Sequence, residues 1–171
     1  MHPQNTPLAS DRRAAPASVG RNLPRLGQGV VWQALSVGQR FRTFRRTGTE
    51  TDRGRCLGVT AGRAALCAQG GRHPGAQAPG PVPGALTYAL IEGFILQTMI
   101  QGTGLAMLEL HQKILAPVRV GDTIEAVVEV TEIRPTSKSG RAVVTSRIDV
   151  FNHQGVMVMT YTATRLLAGR S

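Results

Sequence analysis

The clearest pattern in the chain is an alternation of apolar and polar residues through its C-terminal half. Four segments place apolar side chains on one parity and mostly polar side chains on the other: residues 105–116, 122–133, 141–151 and 156–165. A period of two residues is that of a β-strand with one buried face. Turn-forming residues at 135–140 and 152–155 separate the last three segments. We therefore predict four consecutive strands arranged as a meander.

A helix is predicted immediately before these strands. Residues 85–101 are apolar on nearly all sides and contain one charged residue, Glu92. Gly84 precedes the run and Gly102 follows it, as glycine commonly marks helix ends. A helix that is apolar all round is usually buried, and an acid inside it must be paired, protonated or functional. The run is nearly long enough to span a membrane, but Glu92, Gln97 and the following strands favour a buried helix.

The order of these elements predicts an α+β fold. The domain begins near Val30, and residues 41–51 supply an earlier strand with imperfect alternation. A single antiparallel sheet can cover one face with one helix and leave its other face polar. We expect a curved antiparallel sheet wrapped around one long central helix. Because such a sheet has exposed edges, we also expect pairing of two copies into a homodimer or a higher homo-oligomer.

Residues outside this pattern divide the chain into a tail, a domain and an anomalous segment. Residues 1–28 lack a hydrophobic period and hold several prolines, which predicts a disordered tail. An organellar transit peptide and a misassigned start codon are alternatives. The domain is predicted over residues 29–171. Within it, residues 53–80 contain four Arg, seven Gly, six Ala and no acid, and they support neither a strand nor an amphipathic helix.

The charge distribution argues against nucleic acid as a partner. The formal net charge is +10, but residues 1–80 hold 12 Arg and three acids, whereas residues 81–171 hold eight Lys or Arg and seven acids. The predicted folded half is therefore nearly neutral, and aromatic residues that could stack on bases are few. Cys56 and Cys67 lack the paired ligands of a zinc site, so no metal is predicted. With no secretory signal, we expect a cytoplasmic protein with reduced thiols and no membrane partner.

Two motifs resemble those of a known family. Residues 116–124 read APVRVGDTI, which is similar to the P-V-x-x-G-D-T signature of MaoC-like dehydratases, the family of R-specific enoyl-CoA hydratases. In this motif Gly121 and Asp122 would turn the chain into a strand. Residues 82–86 read VPGAL and resemble the (V/A)-H-G-M-L start of that family's central helix. The resemblance covers residues 30–52 and 81–168 and implies a single hotdog fold.

The resemblance also implies a substrate and a site. Family members bind acyl-CoA thioesters in fatty acid metabolism, and their reaction is the reversible hydration of a trans-2-enoyl-CoA. The helix start faces the thioester carbonyl, so the backbone N–H of Gly84 would form an oxyanion hole. Coenzyme A enters as part of the substrate, and no further cofactor is implied. Predicted substrate-binding residues are Val82, Pro83, Thr87 and Tyr88, with Arg134 and Lys138 at a hairpin tip where they could meet the phosphates of coenzyme A.

The catalytic pair of that family is missing from the sequence. The family uses an Asp and a His five residues apart in a D-x-N-P-x-H loop upstream of the helix. Residues 53–80 offer only His73, with Ala68 where the Asp would stand. Enzymatic activity therefore stays open between hydration, thioester hydrolysis with Glu92 as base or nucleophile, and a non-catalytic acyl-CoA-binding or partner subunit. His111 and His153 are expected to be structural or solvated.

The composition break at residues 53–80 motivates a further hypothesis. Arg-, Gly-, Ala- and Pro-rich sequence without acids is what a GC-rich gene yields when it is read in the wrong frame, so two compensating frame errors would explain the segment. Resequencing the gene over codons 50–85 and translating all three frames tests this. The hypothesis predicts an alternative frame with an acidic, periodic segment. A confirmed reading frame rejects it and makes the loss of the pair genuine.

Overall fold

The structure of the protein, a computed structural model, describes residues 29–59, 81–137 and 140–170, without the side chains of residues 57–59. Several predictions made from the sequence lie outside these ranges. They are the disordered tail, the larger part of the anomalous segment with Cys67 and His73, and the predicted phosphate contact of Lys138.

The described residues form six strands, two α-helices and a short 3-10 helix at Trp32–Ala34. The strands are β1 (Arg40–Arg42), β2 (Arg46–Thr47), β3 (Gly104–Ile114), β4 (Thr123–Pro135), β5 (Arg141–Asn152) and β6 (Met157–Ala168). The helices are α1 (Glu50–Val59) and α2 (Gly84–Gln97). The strand order is β1-β4-β5-β6-β3, with β2 also paired to β4, and every pairing is antiparallel.

The core lies on one face of β4, β5 and β6, on the parity that the sequence predicted to be apolar. Val128 is in register with Ile148, and Ile148 is in register with Tyr161. All three side chains are at most 1% exposed. Because successive side chains alternate across a strand, this face is continuous over the three strands. Ile91 and Ile95 of α2 belong to the same buried cluster, so the buried helix and the one-sided burial of these three strands are confirmed. The fourth predicted strand, β3, forms but has no buried face.

The predicted meander is correct for β4, β5 and β6 only, since β3 pairs with β6 instead of β4. The connection after β3 crosses the end of the sheet, where the N–H groups of Leu115 and Ala116 both donate to the carbonyl of Val158. Gly121, at a φ of +93°, then turns the chain. The carboxylate of Asp122 accepts a hydrogen bond of 2.8 Å from the N–H of Arg119. The turn predicted at Gly121 and Asp122 is therefore confirmed.

The central helix α2 is shorter than the apolar run that predicted it. It ends at Gln97 and is roughly 21 Å long at 1.5 Å per residue. Beyond it, the carbonyls of Met99 and Gln101 accept hydrogen bonds of 2.7 and 2.8 Å from the N–H groups of Val30 and Gly29. These carbonyls face the start of the domain instead of continuing a helix. Neither helix of the described ranges has the length and apolar character needed to cross a membrane.

A second helix, α1, occupies the start of the segment for which no helix was predicted. The hydroxyl of Thr49 accepts a hydrogen bond from the N–H of Asp52, and the Asp52 carboxylate accepts one from the N–H of Thr49, each at 3.1 Å. This reciprocal pair is a capping box. Hydrogen bonds from the Thr49 side chain and backbone hold the pKa of Asp52 below its usual value. The expectation of no helix is therefore wrong for residues 53–59.

The strand β3 forms one edge of the sheet and is exposed along its whole length. Its large apolar side chains are unusually accessible, with Leu105 48%, Leu108 54% and Ile114 61% exposed. An exposed, apolar edge strand carries a free row of backbone hydrogen-bonding groups. The expectation of exposed sheet edges is thus met most strongly at β3.

Candidate functional site

The start of α2 leaves two backbone N–H groups available. The N–H of Val82 donates to the carbonyl of Val118 at 2.7 Å, which anchors the approach to the helix. Pro83 occupies the N-cap position and has no side chain that could cap the helix. Within the described part of the chain, the N–H groups of Gly84 and Ala85 donate to no acceptor. Free N–H groups at the positive end of a helix attract an anionic or polarised oxygen.

A cavity of about 360 Å³ opens at this helix end. It lies between the start of α2, the end of β3 with the connection that follows it, and the start of β6. Its lining is almost entirely apolar and is formed by Pro81, Val82, Pro83, Gly84, Thr87, residues 114–118, Val158 and Met159. The structure therefore brings together four residues predicted to bind substrate or oxyanion: Val82, Pro83, Gly84 and Thr87.

The Thr87 hydroxyl is the polar side-chain group of this cavity. Thr87 is 1% exposed, and its Oγ1 atom has no hydrogen-bond partner among the described residues. A buried hydroxyl without a partner costs about 1–3 kcal/mol, so such groups usually have a reason to be retained. Thr87 and Gly84 both line the cavity, and the Oγ1 atom itself is buried.

Gly84 has a packing role in addition to its free N–H. A Cβ atom at this position would overlap the Cδ1 atom of Ile114. The glycine therefore allows the end of β3 to approach the helix start closely. This close approach shapes the wall of the cavity, so a side chain at Gly84 would change both the packing and the access to the N–H group.

Glu92 is paired, which is one of the three states predicted for an acid inside the helix. Its Oε1 atom accepts hydrogen bonds from the Tyr161 hydroxyl at 2.7 Å and from Nη2 of Arg165 at 2.5 Å. The side chains of Glu92 and Arg165 are 8% and 6% exposed. Burial, followed by the negative charge of Glu92, raises the pKa of Tyr161 far above its usual value. We call Glu92, Tyr161 and Arg165 the buried polar cluster.

The contact between Glu92 and Arg165 was not predicted, although the sequence contains a signal for it. Arg165 continues the buried parity of β6, two positions after Ala163 and four after Tyr161. An arginine on a core-facing parity needs a buried acceptor. Among the described acids, Glu92 is the one that is buried. The pairing could therefore have been proposed from the apolar helix and the strand parity together.

A second cavity, of about 470 Å³, borders the buried polar cluster. It is lined by Tyr88, Glu92 and Arg165 together with apolar side chains of α2 and of the start of β3. The Tyr88 ring packs edge to face on the Tyr161 ring, with centroids 5.3 Å apart. Burial raises the pKa of Tyr88, and the negative charge of Glu92 adds to this. The predicted substrate-binding residue Tyr88 thus lies at a different cavity from Thr87.

The remaining predicted residues lie away from the first cavity. Arg134 is exposed near the end of β4, at the opposite end of the sheet from Val158. His111 is exposed on β3 and contacts Glu109 at 2.8 Å. His153 is 3.6 Å from Asp122 in the turn after β5. No group of three or more potential metal ligands occurs in the ranges that the structure covers.

Comparison with solved structures identifies the fold. An R-hydratase from Pseudomonas aeruginosa matches with a TM-score of 0.67 at 24% identity, over 84% of this chain and 88% of that one. A MaoC-like dehydratase from Rhodospirillum rubrum gives 0.64 at 22% identity, over 84% and 99%. A Mycobacterium tuberculosis protein with a double hotdog fold gives 0.70 at 17% identity, over 86% of this chain and 46% of that one.

These likenesses confirm the predicted resemblance to MaoC-like dehydratases and R-hydratases at the level of the fold. The antiparallel sheet, with α2 against its buried face, fits a hotdog fold. Comparison of sequences adds no further assignment, since no family model and no curated protein matches this chain. At such identities the shared property is the architecture, and the chemistry must be argued from the site.

The buried polar cluster generates a stability prediction. Glu92→Gln keeps an acceptor for Tyr161 but leaves Arg165 as a buried, unpaired charge, which should cost about 3 kcal/mol or more. Arg165→Met should lower the free energy of unfolding by a similar amount, because it leaves the buried Glu92 carboxylate without its ion-pair partner. The double variant should be less destabilised than the sum of the two single variants. Urea unfolding of all four proteins measures this.

Glu132→Gln is the matched control, because Glu132 is exposed on β4. It should change the free energy of unfolding by no more than about 0.5 kcal/mol. A Glu92→Gln protein as stable as the wild type, or strictly additive single effects, would show that the cluster does not act as a pair.

Proposed function

We propose that this protein binds acyl-CoA thioesters, with the thioester carbonyl at the start of α2. The observation that carries the proposal is the free N–H of Gly84 at the start of the helix, in an apolar cavity that is also lined by Thr87, whose hydroxyl has no partner among the described residues. A carbonyl oxygen would accept from this N–H, and the apolar walls suit the adjoining acyl chain. The shared fold with R-hydratases supports the same substrate class.

The reaction that best fits this placement is reversible hydration of a trans-2-enoyl-CoA. Donors fixed at the carbonyl oxygen stabilise the enolate that forms when water adds to the double bond. Hydration also needs a general acid–base group near that bond. The side chains that line the first cavity include no acid and no histidine. The described residues thus support carbonyl binding and enolate stabilisation, while the proton-transfer step rests on the resemblance alone.

The thioesterase alternative places the chemistry on Glu92. Because Oε1 of Glu92 already accepts from Tyr161 and Arg165, the carboxylate is held as an ion-pair partner, which weakens it as a base or nucleophile. Incubation with trans-2-enoyl-CoA separates the alternatives. Loss of the enoyl absorbance without release of thiol indicates hydration, thiol release abolished by Glu92→Gln indicates hydrolysis, and binding without either indicates a non-catalytic subunit.

Two variants test the carbonyl site. Thr87→Val removes one hydroxyl and should weaken the binding of an enoyl-CoA by about fivefold, the equivalent of one hydrogen bond. Gly84→Ala should weaken it further, because the new Cβ atom overlaps Ile114. Isothermal titration gives the dissociation constants.

The matched controls are Thr131→Val, an exposed threonine on β4, and Gly54→Ala in α1, where a Cβ atom meets nothing within 4 Å. Both should bind as the wild type does. Wild-type affinity in Thr87→Val and Gly84→Ala, or no binding by the wild type, would contradict the proposed site.

We further propose that the protein is a homodimer joined along β3. This strand is a sheet edge whose side chains are all exposed, and several of them are large and apolar. A second copy of the same strand would satisfy the free backbone groups and cover the leucines. Because β3 also contributes to both cavities, the partner copy would lie beside the acyl site.

Charge on β3 should therefore prevent dimerisation. Leu108→Lys and Leu110→Lys should give a monomer by light scattering coupled to size exclusion, because paired strands would bring like charges together. Val37→Lys, at a position 63% exposed and outside β3, should leave the mass unchanged. A wild-type protein that is monomeric at all concentrations, or a dimer that survives both leucine variants, would rule out this interface.

A further inference from the structure

The second cavity has a polar wall that the proposed carbonyl site does not use. Its lining is apolar along the C-terminal half of α2 and the start of β3, except at Tyr88, Glu92 and Arg165. The lining of the first cavity contains no charged side chain, so the two cavities differ in polarity. A purely hydrocarbon ligand would leave the polar wall of the second cavity without partners.

Two donors of this wall have no acceptor within the described part of the protein. The Arg165 side chain is only 6% exposed, and its Nε atom is buried and has no hydrogen-bond partner. The Tyr88 hydroxyl makes no hydrogen bond to any described residue. Its pKa is raised by burial, so it keeps its proton and remains a donor at neutral pH. The buried Nε of Arg165 requires an acceptor from a ligand or from water, and Tyr88, which is half-buried, lines the same cavity.

The charge of the wall decides which kind of acceptor fits. Glu92 and Arg165 form an ion pair, so the pair as a whole is neutral. A carboxylate placed beside it would add an uncompensated negative charge next to Glu92, which is unfavourable in a buried site. A hydroxyl or keto oxygen satisfies the donors without adding charge. The cavity therefore favours a neutral oxygen substituent on an otherwise apolar chain.

The position of the wall along α2 sets the distance from the carbonyl site. Tyr88 lies four residues and Glu92 eight residues after Gly84, which corresponds to roughly 6 and 12 Å along the helix axis. Long helical side chains also lean toward the N-terminus of their helix. An extended acyl chain of medium length, with its carbonyl at Gly84, would bring its distal end to this level.

We infer that the acyl groups this protein selects carry a neutral oxygen substituent near their distal end, and that Tyr88 and Arg165 are the residues that recognise it. The inference rests on the proposed binding of acyl-CoA at the start of α2. It assigns the second cavity as the distal acyl subsite and makes Tyr88 a specificity-determining residue, with Glu92 and Tyr161 holding Arg165 in place.

The test compares octanoyl-CoA with its ω-hydroxy and ω-carboxy analogues, which have the same chain length. The same three compounds are also measured with hexanoyl and with decanoyl chains. In the wild-type protein the ω-hydroxy chain should bind at least about fivefold more tightly than the plain chain, the effect of one hydrogen bond. The ω-carboxy chain should bind more weakly than the ω-hydroxy chain. In Tyr88→Phe the ratio of the hydroxy and plain dissociation constants should fall toward one.

Thr131→Val is the control, because it removes an exposed hydroxyl on β4 that borders neither cavity; it should keep the wild-type ratio. Equal affinity for plain and hydroxylated chains at every length, or an undiminished ratio in Tyr88→Phe, overturns the inference while leaving acyl-CoA binding intact. Tightest binding of the ω-carboxy chain overturns the assignment of a neutral group. If no acyl-CoA binds at all, both the inference and the proposed function fail.

Discussion

The orientation of α2 depends on the buried contact between Glu92 and its two partners on β6. The helix is apolar on nearly all sides, so the hydrophobic effect favours its burial but distinguishes poorly between rotations about its axis. A buried carboxylate is different, because it is tolerated only where donors meet it. With Glu92 fixed against Tyr161 and Arg165, the rotation of the helix is no longer free.

The rotation set in this way has consequences at the other end of the helix. Thr87, Ile91 and Ile95 follow one another at spacings of four residues and form one buried stripe. The two isoleucines complete the core, while Thr87 reaches the cavity at the helix start. The ion pair contributes little net stability, since desolvation offsets much of its attraction. The contacts of Glu92 are made in the rotation of the helix in which Gly84 and Thr87 both line the first cavity.

The same helix separates two chemically different cavities. Residues at the start of α2 border a cavity with free donors and apolar walls, whereas residues one to two turns later border a cavity with an ion pair. Both cavities are open to β3, the apolar strand at the edge of the sheet. A single extended ligand lying along α2 would meet the two environments in turn, which is why the proposed substrate has a thioester at one end and a neutral oxygen at the other.

Several features were already determined by the sequence. The alternation on β4, β5 and β6 predicted strands with one buried face, because successive side chains of a β-strand point to opposite faces of the sheet. The turn at Gly121 and Asp122 was readable because it depends on local backbone geometry. The helix α1 was missed, because residues 41–51 were predicted as a strand and the capping box of Thr49 and Asp52, which is a local signal, was overlooked. The motif around Gly84 predicted where α2 begins, which is where the proposed carbonyl site lies.

Only the tertiary structure decided which distant residues meet. It placed β3 beside β6 instead of β4, because pairing partners are chosen by long-range packing that leaves no local pattern. It brought Arg165 to Glu92, 73 positions apart in the sequence, and showed that Thr87 and Tyr88, neighbours in sequence, lie at separate cavities. Sequence periodicity fixes which face of an element is apolar, but a buried charge finds its partner only when the elements pack. In this protein that packing determines the site.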